Sequence, residues 1–298
     1  MAIQLQLAGR RKDLGGGFVV SRLLPAAGRR SIGPFVFFDH FEPAMERPGL
    51  DHDVRPHPHI GLATVTYLFE GAMMHRDSLG SEQRIEPGAI NWMSAGRGIV
   101  HSERKPDDLR ERSFVNHGLQ LWVALPREHE EDEPSFTHTP AAAIPERQVG
   151  DARVRVLVGE AFGALSPVRP AAPTLYLDLL LPAGGAMDLP PLAPEIAAFP
   201  VHGGVEVDGA GIDVGALALL QPGLAVQLAA KAASRVVVIG GAPLDGPRLL
   251  WWNFVSSRKE RILQASADWQ AQRMGRIAGD PEFIPLPPTR FSAPEPLS

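Results

Sequence analysis

The sequence predicts an all-β chain of two tandem β-barrels with one helix near the C-terminus. Three observations carry this: a length of 298 residues, many short apolar runs broken by turn residues, and scarce helical periodicity before residue 250. A chain this long exceeds what one small core requires and suits two mid-sized domains. Hydrophobic residues at 44% and charged residues at 21% are ordinary for a globular protein, which sets aside disordered, fibrous and coiled-coil classes.

The expected strands are rich in Val, Ile, Phe, Tyr and Leu and are separated by Gly, Pro, Asp and Ser. In order they include Phe35–Phe38, Ala63–Phe69, Ile90–Met93 and Gly118–Ala124, then Arg153–Val158, Leu175–Leu181, Ala216–Leu220 and Arg235–Ile239. Their spacing is that of sandwiches and barrels. Thr139–Pro145, rich in Pro and Ala and preceded by acidic residues, is the linker expected between domains 1–138 and 146–298. The halves echo each other weakly, Tyr67-Leu-Phe-Glu-Gly71 before Ile85-Glu-Pro-Gly88 matching Phe199-Pro-Val-His-Gly203 before Ile212-Asp-Val-Gly215. A duplicated β-domain explains the echo, as do turns common to any two β-domains. The helix is expected over about 256–274, where Ile262, Ala265, Trp269 and Gln272 recur at helical spacing behind a serine.

Charge and composition exclude several functions. A net charge of −5 offers no positive field for phosphate backbones or anionic lipid, so nucleic acid is not expected as a direct partner. The absence of cysteine removes thiolate chemistry and leaves histidine and carboxylate as the strong metal ligands. The N-terminus lacks the apolar core of a secretory signal and no segment suits a membrane span, so a cytoplasmic location is expected; the chain is also expected to be a monomer. Gly15-Gly-Gly17 and Gly96-Arg-Gly98 do not have phosphate-loop spacing, no GxSxG is present, and Arg10-Arg-Lys12 and Arg258-Lys-Glu-Arg261 read as solvated faces.

Chemistry is concentrated at two places. In Arg55-Pro-His-Pro-His-Ile-Gly61 the histidines stand at i and i+2, which in an extended segment puts both imidazoles on one side. In Gly96-Arg-Gly-Ile-Val-His-Ser-Glu103 a histidine and a glutamate share the same interval. Were the two strands neighbours in a small barrel, His57, His59, His101 and Glu103 would meet as three nitrogens and one oxygen, a set suited to a divalent transition metal.

These motifs, with Gly33-Pro-Phe-Val-Phe-Phe-Asp-His-Phe41, His75-Arg-Asp-Ser-Leu-Gly80 and Met93-Ser-Ala-Gly-Arg-Gly-Ile-Val-His-Ser-Glu103, resemble the pirin family. The resemblance continues at Gly118-Leu-Gln-Leu-Trp-Val-Ala-Leu-Pro126, Trp252-Asn-Phe-Val-Ser-Ser257 and Phe283-Ile-Pro-Leu-Pro287, and is weakest over roughly 135–235. It implies two cupin (jelly-roll-like) barrels, the N-terminal one holding one metal on His57, His59, His101 and Glu103. Fe(II) comes first, with Zn, Ni, Cu and Mn also compatible with the donors. Ordinary cupins take a glutamate soon after HxH; Ile60-Gly-Leu-Ala-Thr64 has none, and Glu103 replaces it as in pirins. The second barrel retains a lone histidine, His202, and is expected to be metal-free.

The resemblance also implies two functions. Some bacterial pirins are similar to quercetin 2,3-dioxygenases, which open a flavonol ring with O2 and release carbon monoxide; on physical grounds Glu103 is the candidate catalytic base, accepting the flavonol 3-hydroxyl proton when it swings off the ion. Eukaryotic pirins are similar in sequence but act as iron-containing regulators through protein contacts, so a regulatory protein partner is the alternative. Asp39, His40, Asn91 and Gln120 are candidates to hold the ligating imidazoles from behind. Phe37, Phe41, Trp92 and Met93 are candidates to line the cavity, and His75 is left outside the site.

Overall fold

A computed structural model describes residues 1–14, 17–50, 52–289 and 291. Gly15 and Gly16 of the glycine run and the C-terminal end of the expected second domain, 292–298, lie outside the described residues. Strands are the dominant regular structure of the described chain, with one α-helix, Lys259–Gln270, and no described helix is long and apolar enough to cross a membrane.

Two compact units form, but they are not the continuous halves 1–138 and 146–298. The N-terminal barrel comprises 12–20, 41–138 and 245–298, and the C-terminal barrel comprises 1–11, 21–40 and 139–244. Long-range pairing accounts for the exchange. Ile3–Ala8 joins the C-terminal barrel because it pairs antiparallel with Ala216–Leu220, covering a strand that would otherwise present open amides and carbonyls. The C-terminal helix joins the N-terminal barrel because Ile262, Ala265 and Trp269 are buried in one cluster with Ile60, Val100 and Phe254.

The helix is also shorter than expected. Ser256 belongs to the strand Phe254–Ser256 and its Oγ accepts from the amide of Arg258 at 3.1 Å, so helical geometry begins only at Lys259. It ends before Gln272, whose φ of +56° is left-handed.

The C-terminal barrel packs a seven-stranded sheet and the four-stranded sheet Ala186–Leu189, Val226–Ala230, Val205–Val207, Ala210–Ile212 around one aliphatic core. His202 is exposed at the end of Glu195–His202. The N-terminal barrel contains the four-stranded sheet Val54–His59, Ile99–Arg104, Met73–Asp77, Glu82–Ile85, in that order. Its second sheet contains Ser135–Thr139, Ile90–Ser94, Leu62–Glu70 and Phe114–Ala124, also in that order.

The segment leading to the helix is tied to the N-terminal barrel at two points. Gly61, at φ +65°, lies so close to it that a Cβ would fall 2.0 Å from the carbonyl oxygen of Val255. The fully buried guanidinium of Arg248 places Nε 2.7 Å from Oε1 of Glu130, while Glu130 also accepts from the Ser256 hydroxyl at 3.0 Å and the Ser257 amide at 2.8 Å. Glu130→Ala leaves the buried Arg248 guanidinium with the half-exposed Asp245 as its remaining ion pair and strips the Ser256 and Ser257 donors of their acceptor, so chemical denaturation should show a loss of about 1–3 kcal/mol; a loss below about 0.5 kcal/mol would show that the anchor contributes little. Gly61→Ala should destabilise by more than the ~1 kcal/mol of a simple backbone effect, because the methyl must displace the Val255 segment, and proteolysis should then cut within 245–298 first.

Candidate metal centre

His57 and His59 lie on Val54–His59, and His101 and Glu103 on the adjacent antiparallel Ile99–Arg104. The register sets His57 opposite His101 and His59 opposite Ile99, then shifts so that Glu103 faces Val54. All four side chains are buried. The imidazole centroids are 4.3 Å apart for His57 and His101, and 5.0 Å apart for both His57–His59 and His59–His101. One ligand atom from each of the three lies within 4.8 Å of the others, so the trio could hold one metal ion. Neighbouring ligands on a metal are ~3 Å apart and opposite ones ~4.2 Å when each bond is ~2.1 Å, so a small inward movement completes such a shell. Glu103 stands beside the trio, its Oε2 4.0 Å from Nε2 of His57 and its Oε1 3.7 Å from Nδ1 of His101.

The donor chemistry fits a cation. Nδ1 of His57 faces the carbonyl of Arg55 at 2.9 Å, and Nδ1 of His59 faces the carbonyl of Asn253 at 3.1 Å. A carbonyl only accepts, so each proton is drawn to Nδ1 and each Nε2 keeps its lone pair. Nε2 of His101 is buried and has no hydrogen-bond partner, the kind of orphan a bound ion would satisfy. Burial drives His57 down to about 4 despite its bond to Arg55, and burial followed by the neighbouring imidazoles holds His101 well below the usual range. His59 is lowered in the same way, by burial and then by His57. The same burial raises Glu103 to about 8. Near neutrality the imidazoles are therefore unprotonated donors.

His75, which the sequence reading left outside the site, lies against it. Its Nδ1 is 3.4 Å from Nδ1 of His101, its Nε2 is 3.0 Å from Oδ2 of Asp77, and its ring stacks on Phe136 at 4.2 Å and 10°. Oδ1 of Asp77 accepts from the amides of Leu79 at 2.9 Å and Ser81 at 3.0 Å. Although burial alone would raise the Asp77 carboxyl, the bonds from His75 and Ser81 lower it. The motif His75-Arg-Asp-Ser-Leu-Gly80 is thus a hairpin that aims a histidine and an aspartate inward. The available signal was His75-x-Asp77, the same i, i+2 spacing as the other two clusters.

The candidates for holding the imidazoles each have a partner of their own. Asp39 makes a two-point ion pair with Arg22 at 2.8 and 2.7 Å, and His40 packs edge-on against Phe199 in the C-terminal barrel. Asn91 faces His138 at 2.7 Å, and Gln120 accepts from the Thr66 hydroxyl at 2.9 Å. Among the expected cavity residues, Phe37 lies beneath the Arg22 guanidinium, Phe41 packs with Phe18 and Leu68, and Met93 packs with Ala95 and Ile99. Trp92 is buried. The aromatic ring that meets a candidate ligand is Trp122, edge-on to His59 with centroids 5.1 Å apart.

Comparison with known proteins agrees with this architecture. Residues 17–123 match the family described as Pirin, and residues 176–275 match the Pirin C-terminal cupin domain. A pirin-like protein of Caulobacter vibrioides is 50% identical over 96% of this chain and 99% of its own length. The human protein named Pirin is 34% identical over 92% of this chain and 93% of its own. A crystal structure of quercetin 2,3-dioxygenase from Acinetobacter baumannii superposes with a TM-score of 0.92 at 35% identity, covering 100% of this chain and 98% of the other. Sequence identity that runs through both barrels, on the fold the residues themselves called for, makes this chain a member of the pirin family.

Proposed function

We propose that this protein is a metal-dependent dioxygenase that opens a flavonol ring, quercetin being the first to test, with molecular oxygen. The observation that carries the reading is the buried trio His57, His59 and His101 with the Glu103 carboxylate beside it. Likeness to the Acinetobacter baumannii quercetin 2,3-dioxygenase supports it. His57, His59, His101 and Glu103 would hold one divalent transition metal, with iron the first candidate. When bound, such an ion supplies Lewis acidity that lowers the pKa of a substrate hydroxyl.

The chain's own residues supply the rest. Glu103, beside the trio with its Oε2 4.0 Å from Nε2 of His57, is the carboxylate placed to accept the proton of the flavonol 3-hydroxyl when it swings off the ion. Trp122, held against His59, offers an aromatic surface beside the centre for a planar substrate.

Purified protein of measured metal content should consume oxygen when quercetin is added. Full metal occupancy with no quercetin-dependent uptake would contradict the dioxygenase reading and favour the regulatory role that the family resemblance also implies. His57→Ala and His101→Ala should weaken metal binding by more than the roughly 10–100-fold that loss of an outer hydrogen bond costs a metal site. Glu103→Gln, compared at equal metal content, should lower kcat by about 10²–10⁴-fold; an unchanged kcat would remove Glu103 as the base.

A further inference from the structure

We infer that Asp77 and His75 act as a positioning pair for the metal centre, fixing the proton of His101 on Nδ1 and so leaving its Nε2 bare for the ion. The inference rests on the metal-centre reading above. It starts from a constraint of imidazole chemistry: when two ring nitrogens face each other, one must donate and the other accept. Nδ1 of His75 and Nδ1 of His101 face each other at 3.4 Å, at the long end of hydrogen-bond distances.

Asp77 decides the direction. Its carboxylate only accepts, and its Oδ1 is occupied by the amides of Leu79 and Ser81. Oδ2 faces Nε2 of His75 at 3.0 Å, so that nitrogen carries the proton. With the proton on Nε2, Nδ1 of His75 is left to accept, and His101 must donate. Glu103 does not compete, because its Oε1 is 3.7 Å from the same nitrogen, beyond hydrogen-bond distance. A neutral His101 protonated at Nδ1 has no proton on Nε2, the buried atom found without a partner.

The other two candidate ligands reach the same tautomer by simpler means, through the carbonyls of Arg55 and Asn253. At His101 a side-chain chain does the work of a carbonyl. Its parts are held rigidly: Phe136 stacks under His75, and the hairpin amides lock Asp77.

The substitution Asp77→Asn tests the direction of this chain. Its side-chain oxygen can still serve Leu79 and Ser81, but its nitrogen now donates to His75, which must reverse its tautomer and push the His101 proton onto Nε2. His75→Phe keeps the stack on Phe136 and deletes the acceptor. Co(II) alone, titrated against a chromophoric chelator, should bind each variant about 10–100-fold more weakly than wild type, while the melting temperature of the metal-free protein changes little. Long-range ¹H–¹⁵N spectra of the metal-free wild type should place the His101 proton on Nδ1 and the His75 proton on Nε2. Wild-type Co(II) affinity in both variants, or a His101 proton on Nε2 in the wild type, would overturn the inference. The wild-type spectrum decides it even if neither variant folds. Failure of the wild type itself to bind Co(II) would instead overturn the metal-centre reading and the inference with it.

Discussion

The centre depends on the register of one strand pair, Val54–His59 against Ile99–Arg104. Side chains alternate along a strand, so a slip of one residue would carry the imidazoles from the barrel interior to its outside. The two turns that bound the pair hold the register, since the amide of Gly61 donates to the carbonyl of Gly96 at 2.9 Å. Pro56 and Pro58 reinforce it from the open side. The carbonyl of Pro56 accepts from Ile284 rather than from the partner strand, and a residue's nitrogen and carbonyl point the same way in an antiparallel ladder. The missing amide therefore falls where no ladder bond was required, and proline discourages further strands from adding to this edge.

Burial then sets the chemistry that the register has positioned. Burial holds three imidazoles below their usual range, and a carboxyl among them is raised to about 8. An ionised carboxylate is costly in such a place unless a positive charge accompanies it. The same low polarity that keeps the lone pairs available makes a cation the natural partner of the glutamate. The C-terminal segment contributes from outside, because Asn253 orients His59 while Phe254 and the helix behind it cover Ile60. A domain border drawn at the linker would have cut this support away from the site it serves.

Local spacing explains what was legible in the sequence. His57, His59, His101 and Glu103 could be read because a period of two assigns neighbours to the same face without knowledge of the fold. The echoed glycine turns were also readable, and Gly71, Gly88, Gly203 and Gly215 all have left-handed φ, of +91°, +80°, +64° and +78°. What escaped was set by pairing across the chain. His75-Arg-Asp77 has the same spacing, but that Met73–Asp77 lies beside the Glu103 strand is a fact of sheet order. Asn91 and Gln120 lie on strands of the opposite sheet, where His138 and Thr66 engage them. The exchange of Ile3–Ala8 and 245–298 between barrels left no compositional mark, because it follows from which edge and which apolar face needed covering.

X-ray absorption at the metal edge of the loaded protein tests the central claim most directly. The account predicts one ion per chain, with scattering from three imidazoles and one carboxylate oxygen at ~2.0–2.2 Å. Fewer than three imidazoles around the ion, or none bound at saturating metal, would contradict it.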